Sequence, residues 1–327
     1  MVHRFIRAGA LLGMAVGLAL PGAAQSAESF RLLSSWGSSN TTAYMPGLQF
    51  KKNLEAAGDY SVRILGPEAA PPFEQLQPVS AGVFDLLYTH SSYHSKGLAI
   101  GADAMKPDME KMRATGIFDH IDKYYQKTHN IKLLSLVPVG DKGYHCYLRE
   151  PLSADGDWKG RKIRGVATYH GVIKALGGVP VQTDMGEVYA ALERGVIDGA
   201  CAPANVLLAT KHYEVAKYRT EPTFGTLVSL IGINLDRWNK LTDAQKETLS
   251  KVGAQTEKDT MRLGNEILIN DNKALDGLGV KPVQFPPAVA QKVNSSYYSS
   301  IWELAAQCCG EDGKKLHELA KAQGLTE

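Results

Sequence analysis

The stretch that decides the fold is Trp158–Pro203, and its most informative segment reads Gly160-Arg161-Lys162-Ile163-Arg164-Gly165. Alternation along this predicted strand puts Ile163 on one face of a sheet and Lys162 with Arg164 on the other. Arg164 falls near the carboxyl end of the strand, where open α/β sheets place their ligands. Its guanidinium offers a planar fork of donors that matches a carboxylate. On spacing alone, a solvated arginine at a strand end explains the segment better than a ligand-binding one.

Segments typical of strands and of helices alternate on both sides of this one. The predicted strands, separated by helix patterns that stop at glycines, are Phe30–Trp36, Ser61–Leu65, Phe84–Thr89, Val179–Gln182 and Val196–Cys201. Such alternation favours βαβ units and a parallel sheet. The sequence therefore predicts an α/β protein built from two such blocks.

A long helix is predicted for Thr242–Leu275, where Gly253 and Gly264 are the only breaks. As one helix it would be about 50 Å long at roughly 1.5 Å per residue, longer than a small domain is wide. We expect it to bridge two lobes. Since no low-complexity linker occurs, we also expect strands that cross from one lobe to the other.

Composition excludes several classes of protein. The chain has 327 residues, 44% of them hydrophobic, which suits about two folded domains and excludes disorder. Its 36 basic and 34 acidic residues leave a formal charge of +2. A chain so close to neutral lacks the basic surface of a nucleic-acid-binding protein, and we expect no nucleic-acid partner.

Residues 1–26 are predicted to be a secretory signal peptide. Arg4 and Arg7 precede the uncharged run Ala8–Leu20, and small residues follow it at 23–27. This order, with a run too short to span a bilayer, is typical of a signal peptide cleaved between residues 24 and 27. An uncleaved anchor is the alternative. We expect the mature protein in the periplasm.

Four cysteines, Cys146, Cys201, Cys308 and Cys309, allow three pairings. The adjacent Cys308 and Cys309 could form a strained bridge, but we expect one of them to pair elsewhere or both to stay buried thiols. No cysteine or histidine spacing is typical of a zinc site. We predict no metal and no cofactor.

Motifs of the common enzyme classes are missing from the sequence. There is no H-E-x-x-H, G-x-x-x-x-G-K-[ST], G-x-G-x-x-G or G-x-S-x-G pattern. We therefore predict that the protein is not an enzyme and assign no catalytic residue.

Four ordered motifs carry a family resemblance. They are G-x-K-I-R at Gly160–Arg164, A-L-G-x-x-P-V at Ala175–Val181, E-V-Y-x-A-L at Glu187–Leu192 and G-V-x-D-G at Gly195–Gly199. In this order they resemble the solute-binding proteins of TRAP (tripartite ATP-independent periplasmic) transporters. The resemblance implies a two-lobed α/β clamshell of the periplasmic-binding-protein type. We assign 27–141 plus 228–270 to lobe I and 142–227 plus 271–327 to lobe II.

The resemblance also implies that Arg164 binds a ligand carboxylate. His145 stands where the family often has a second arginine, and Met185 where an aromatic residue is common. Ala202 lies in the segment after the D-G pair, where a ligand-binding asparagine is frequent. Because each departure replaces a polar or stacking contact, we expect an organic monocarboxylate with an apolar or aromatic part rather than an acidic sugar.

Aromatic and histidine side chains at other strand ends complete the predicted site. Tyr88 and His90 follow a strand and could offer hydrogen-bonding edges to the ligand. Trp36 and Phe73 could form walls of the pocket. The alternatives are loop aromatics that pack between the lobes for Tyr88 and His90, and a core position for Trp36.

These observations predict a periplasmic solute-binding protein of a TRAP transporter that delivers a small organic acid to membrane permease subunits. One alternative is a sensory protein that presents its ligand to a receptor. A secreted α/β hydrolase or isomerase, or an assembly component without a ligand, is a further alternative.

Overall fold

The structure is a computed structural model that describes Met1 and residues 28–94, 96–141 and 143–326. Apart from Met1, the predicted signal peptide lies outside the described residues. Within these ranges, none of the helices combines the length and the apolar character needed to cross a membrane.

Strands and helices alternate as the sequence predicts. The strands are β1 (Glu28–Ser34), β2 (Tyr60–Leu65), β3 (Leu86–Thr89), β4 (Ile131–Pro138), β5 (His145–Leu148), β6 (Lys162–Arg164), β7 (Val179–Val181), β8 (Gly199–Ala202), β9 (Tyr218–Glu221), β10 (Val228–Asn234) and β11 (Lys281–Gln284). The α-helices are α1 (Thr41–Ala56), α2 (Leu76–Ser80), α3 (Met109–Ala114), α4 (Ile117–His129), α5 (His170–Ala175), α6 (Val188–Glu193), α7 (Ala204–Ala209), α8 (Leu235–Asn239), α9 (Asp243–Gly277), α10 (Pro287–Cys309) and α11 (Glu311–Ala322).

Two sheets form the two lobes. The first has the order β2-β1-β3-β10-β4 and the second the order β11-β9-β5-β8-β6-β7. The predicted parallel pairing is confirmed for β1 with β2 and β3 and for β6 with β7 and β8. Each sheet also holds an antiparallel strand, β10 in the first and β5 in the second. Both of these strands enter their sheet from the opposite lobe, which explains their reversed direction.

The crossings between the lobes confirm the predicted architecture. The chain passes from the first sheet to the second between β4 and β5, and back between β9 and β10. Tyr144 and Phe224, one on each crossing, exchange backbone hydrogen bonds of 2.8 and 3.1 Å. The two crossings therefore run side by side. The exact lobe boundaries given above remain a prediction.

Helix α9 is the predicted bridge. It begins at a capping box in which Thr242 and Gln245 satisfy each other's backbone. Leu249 and Val252 pack into the apolar core of the first sheet, whereas Leu268 and Leu275 pack with residues of the second. A single helix thus contributes to the core of both lobes.

Gly253 and Gly264 allow α9 to approach the first sheet closely. A Cβ atom on Gly253 would lie 2.1 Å from the carbonyl oxygen of Leu134, and one on Gly264 would lie 2.5 Å from the backbone nitrogen of Gly140. Neither distance is possible for a real side chain. The two glycines that interrupt the helix pattern are therefore required by backbone-to-backbone packing.

The disulfides differ in part from the expectation. Cys146 is bonded to Cys201, and these two residues are direct partners in the pairing of β5 with β8. Cys308 is bonded to Cys309 at the end of α10, so the expectation that they would not bridge is wrong. Once Cys146 and Cys201 face each other inside a sheet, the remaining two sulfurs have only each other as partners.

Candidate ligand-binding site

A cavity of about 50 Å³ lies between the lobes. At about 10–15 Å³ per water molecule on this measure, it has room for roughly three to five water-sized groups. Its walls come mainly from the segments that follow β1, β3, β6, β7 and β8, so the carboxyl ends of five strands meet there, as expected for open α/β sheets; Leu227 precedes β10. The lining residues are Trp36, Asn40, Ala43, His90, Ser92, Tyr93, Arg164, Val166, Tyr169, Met185, Ala202, Pro203, Asn205, Val206 and Leu227.

Arg164 is the central polar residue of this cavity. Its side chain is at the end of β6 and the residue is only 2% exposed. Nε and Nη2 donate to the carbonyl oxygen of Thr183 at 3.1 and 2.9 Å. Among the described residues, no carboxylate forms an ion pair with it. A buried charge without a counter-ion is costly, so this position could accept an anion.

The geometry of the guanidinium leaves a matched pair of donors free. The carbonyl of Thr183 occupies the side formed by Nε and Nη2. Nη1 makes no hydrogen bond with the described residues, so the end formed by Nη1 and the second hydrogen of Nη2 remains available. Two parallel N–H groups at this end suit the two oxygens of a carboxylate.

Aromatic rings form one wall. The rings of Trp36 and Tyr93 lie 5.9 Å apart, and both border the cavity. Burial raises the pKa of Tyr93, and the positive charge of Arg164 opposes that rise. Tyr88 packs behind Trp36 at 4.9 Å and donates its hydroxyl to the carbonyl oxygen of Ala43 at 2.8 Å. This wall is therefore two layers deep, with tyrosine hydroxyls that stay protonated.

His90 borders the cavity with both ring nitrogens engaged. Nδ1 accepts from the backbone nitrogen of Ser92 at 3.2 Å and lies 2.7 Å from the Ser92 hydroxyl. Nε2 forms a hydrogen bond of 3.3 Å with Oδ1 of the buried Asp103 and lies 3.0 Å from Oδ2 of the same carboxyl group. Burial raises the pKa of Asp103, whereas His90 and the backbone nitrogen of Val228 lower it. Because Nδ1 is an acceptor, Nε2 carries the hydrogen and donates a hydrogen bond to Asp103. The hydrogen bonds from Ser92 to His90 and from His90 to Asp103 hold the turn at residues 91–93 in place.

Five of the eight predicted site residues line the cavity together: Arg164, Trp36, His90, Met185 and Ala202. Tyr88 lies behind the lining, as described. Phe73 packs edge-on against Tyr93 at 5.0 Å and borders a separate groove outside the cleft. These two support the wall instead of facing the cavity.

His145 also lies outside the lining. It is paired with Ala202 across β5 and β8 and is therefore one strand further from Arg164. Its Nδ1 donates to the carbonyl oxygen of Thr220 at 2.8 Å, and burial lowers its pKa. His145, at the position of the family's second arginine, thus forms a hydrogen bond within the second sheet and does not line the cavity.

Sequence reasoning missed Tyr169 and Asn205, which both line the cavity. Tyr169 follows β6 and its ring packs at 4.7 Å against Tyr144 on the crossing. Asn205 follows β8 after Pro203. Both come directly after strands whose carboxyl ends were already expected to form the site, and that rule is the signal that would have found them.

A larger groove of about 720 Å³ lies elsewhere, against α9, and includes Lys106, Arg113 and Lys258 in its lining. Arg113 is bonded there by Glu257, with Nη2 to Oε1 at 2.6 Å and Nε to Oε2 at 2.8 Å. Its charge is therefore already neutralised, and Lys106 and Lys258 are exposed to solvent. Among the described residues, this groove therefore has no buried, unpaired cation like that of the interlobe cavity.

Comparison with known proteins shows the family to which the chain belongs. Residues 104–303 match the family model of bacterial extracellular solute-binding proteins, family 7 (DctP). The chain is 28% identical over 209 residues, 63% of its length, to the C4-dicarboxylate-binding periplasmic protein DctP of Rhodobacter capsulatus. It is 25% identical over 204 residues, 59% of its length, to the ectoine-binding periplasmic protein TeaA of Halomonas elongata. The chain spans 57% of the length of each of these relatives.

Solved structures show the same fold. A TRAP transporter solute-binding protein of Bordetella bronchiseptica, with copurified calcium and picolinate, superposes with a TM-score of 0.80 at 19% identity, covering 91% of this chain and 92% of the other. An extracytoplasmic solute receptor of Bordetella pertussis that binds pyroglutamic acid gives 0.75 at 18% identity, covering 90% of this chain and 100% of the other. The predicted two-lobed clamshell is confirmed.

Proposed function

Since the chain belongs to family 7 of the bacterial extracellular solute-binding proteins, a family of TRAP binding proteins and not of enzymes, we propose that it captures a small organic monocarboxylate between its lobes. We further propose that it delivers this acid to the permease subunits of a TRAP transporter. The two curated relatives are periplasmic, which supports the same location for this chain. The predicted signal peptide at residues 1–26 agrees with that location.

One observation carries the proposal: Arg164 is buried, unpaired and presents a free donor pair to the interlobe cavity. A ligand carboxylate would satisfy those donors and supply the missing negative charge. Each charge-assisted hydrogen bond contributes on the order of 1.5–3 kcal/mol. Micromolar affinity corresponds to about 8 kcal/mol, which two such bonds and apolar burial can reach.

The charge of the lining supports a singly charged ligand. With histidine neutral, Arg164 is the only formally charged residue among those that border the cavity. A second carboxylate would find no cation there, and a ligand ammonium would find no carboxylate. Buried charges without partners are strongly disfavoured, so the lining favours a net charge of −1.

The shape of the lining supports an apolar or aromatic part in the ligand. Trp36, Tyr93, Met185 and Val206 surround the cavity with flat or flexible apolar surface. The relatives from Bordetella contain pyroglutamic acid and picolinate, both small ring monocarboxylates. The single negative charge and the ring of such molecules match a lining with one cation and an aromatic wall.

Closure of the lobes would strengthen binding. Trp36 and Tyr93 come from segments of the first sheet, whereas Arg164 and Asn205 come from the second. A ligand in contact with both groups binds the closed state better and shifts the equilibrium toward it. Exclusion of water lowers the local dielectric constant and strengthens the ion pair.

The test is calorimetric titration of the acid that copurifies with the protein, identified by mass spectrometry. Arg164→Ala should lower affinity at least tenfold because the carboxylate loses its partner. The matched control is Arg161→Ala. Arg161 precedes the same strand, but its guanidinium donates to the carbonyl oxygens of Glu150 and Pro151, away from the cavity. Unchanged affinity in Arg164→Ala would overturn the proposal.

A further inference from the structure

The side-chain amide of Asn205 is the second unsatisfied polar group of the cavity. Asn205 is only 3% exposed and lies in the short helix α7, two residues after Pro203. Its Oδ1 is fully buried and has no hydrogen-bond partner among the described residues. No described hydrogen bond involves its side-chain nitrogen either. The amide therefore retains both an acceptor and a donor function at the edge of the cavity.

Other polar side chains of the lining are already engaged. Asn40 uses Oδ1 to cap α1, accepting from the backbone nitrogen of Ala43 at 3.2 Å. His90 has Ser92 on one nitrogen and Asp103 on the other. The contrast separates groups that hold the cavity together from one that is free to meet a ligand.

A buried amide without partners destabilises the folded chain, and most buried polar atoms in proteins are satisfied. α7 packs against α1 and α9, so Asn205 is held at the meeting point of both lobes. An exposed amide could turn to water, but this one cannot. Such a side chain is satisfied only by a molecule inside the cavity.

Ala202 strengthens this inference. At the end of β8 a methyl group faces the cavity, so the strand itself supplies no polar contact. The first polar side chain after it is Asn205, one helical turn further on. The hydrogen-bonding function on this wall is therefore carried by α7.

Resting on the proposed capture of a monocarboxylate, we propose that Asn205 determines specificity by accepting a hydrogen bond from a neutral donor on the ligand. The ligand class is then a monocarboxylate that also carries a hydroxyl or an amide N–H. Arg164 binds the carboxylate at one end of the ligand, and Asn205 accepts a hydrogen bond from the hydroxyl or amide N–H at the other. A cationic donor is excluded because the lining has no carboxylate to balance it.

Two matched pairs of acids test the proposal by calorimetry. Lactate and propionate differ by one hydroxyl, and pyroglutamate and cyclopentanecarboxylate differ by a lactam group on the same ring size. Wild-type protein should bind the donor-bearing acid of at least one pair tenfold or more tightly than its partner. Asn205→Leu should reduce that ratio below threefold, mainly by weakening the donor-bearing acid.

Controls keep the outcomes distinct. Asn205→Leu removes an unsatisfied amide and should unfold at the same or a higher temperature; if it fails to fold, Asn205→Ser replaces it. Two results would overturn the role of Asn205: equal affinities within both pairs for the wild type, or a preference that survives Asn205→Leu. The proposed function would still stand if Arg164→Ala lowered affinity at least tenfold. Absence of binding by all four acids contradicts the proposed function as well.

Discussion

Two buried arginines lie in one sheet and have opposite surroundings. Arg164 on β6 and Arg219 on β9 belong to the same row of side chains, joined through Ala200 and Tyr147 on the strands between them. Arg219 is 5% exposed and pairs with Asp276 at 2.7 Å and Glu221 at 3.2 Å. Arg164 is as deeply buried and has no carboxylate partner among the described residues. The fold neutralises the charge of Arg219, and we propose that a ligand neutralises that of Arg164.

The pKa of Arg219 reflects its two carboxylate partners. Burial lowers the pKa of Arg219, but the carboxylates of Asp276 and Glu221 more than compensate and raise it overall. Around Arg164 the positive charge acts outward: it opposes the rise in the pKa of Tyr93 and adds to the lowering for His212. Arg219 acts in the same directions on His145 and Tyr147, so the two arginines differ in their carboxylate partners and not in their effect on neighbouring groups.

The largest expected effect separates the two arginines by stability. Arg219→Met should lower the free energy of unfolding by about 2–3 kcal/mol, less than a fully buried pair because Asp276 is half exposed. Arg164→Met should leave the ligand-free protein within about 0.5 kcal/mol of wild type, or stabilise it, since an unpaired buried charge is removed. Urea unfolding measures both. Equal losses would show that both arginines are structural.

A second substitution tests the fork of donors. Arg164→Lys keeps the charge but replaces the planar guanidinium by an ammonium group, which cannot form two parallel bonds with a carboxylate. We expect at least a tenfold loss of affinity, or about 1.4 kcal/mol, in a titration with the copurified acid. Lys162→Arg, on the exposed start of β6, is the control and should bind as wild type does. Full affinity in Arg164→Lys would mean that only charge matters.

The smallest effect concerns His212, next to the unpaired charge. Burial, with a contribution from Arg164, lowers the pKa of His212 from 6.5 to about 4. A histidine with a lowered pKa stabilises the fold fully above pH 6.5, and this stability is lost as the pH falls toward 4. Between pH 6 and pH 5 the loss is about 1 kcal/mol. Unfolding of His212→Gln at both pH values should show a correspondingly weaker dependence.

A saturating ligand sharpens this last comparison. A carboxylate on Arg164 neutralises the charge that acts on His212, so the pKa of His212 rises and part of the pH dependence disappears. The same measurement on Arg164→Met should also show a weaker dependence. An identical dependence in all three samples would mean that burial alone lowers the pKa.

The sequence predicted the elements better than the contacts of their side chains. Motif order and alternation predicted the sheets and the bridging helix, because these follow from local pattern and strand direction. The expected role of Arg164 came instead from the family resemblance. Predicted strand Val196–Cys201 begins only at Gly199, since Asp198 ends the preceding turn and accepts from the backbone nitrogen of Lys162 at 2.7 Å. The boundary depends on a contact 36 residues away.

Tertiary packing decided which of the predicted site residues line the cavity and which do not. Every side chain of β3 is buried on one side or the other, so alternation alone could not decide which way Tyr88 points. His145 shares a face with Arg164 but lies beyond β8, a displacement set by strand order. The position of Asn205 after β8 would have indicated that it lies near the site, but nothing local shows that its amide is buried without a partner. Each miss required knowledge of neighbours that are distant in sequence.

The backbone contacts of Gly253 and Gly264 have a mechanical consequence. With no side chain between α9 and the strand that leads out of the first lobe, helix and strand behave as one solid part up to Gly140. Beyond that point α9 continues for 13 residues, from Gly264 to Gly277, into the second lobe. This part of the helix moves with the second lobe, so the close contacts at the two glycines limit how far that lobe can rotate relative to the first.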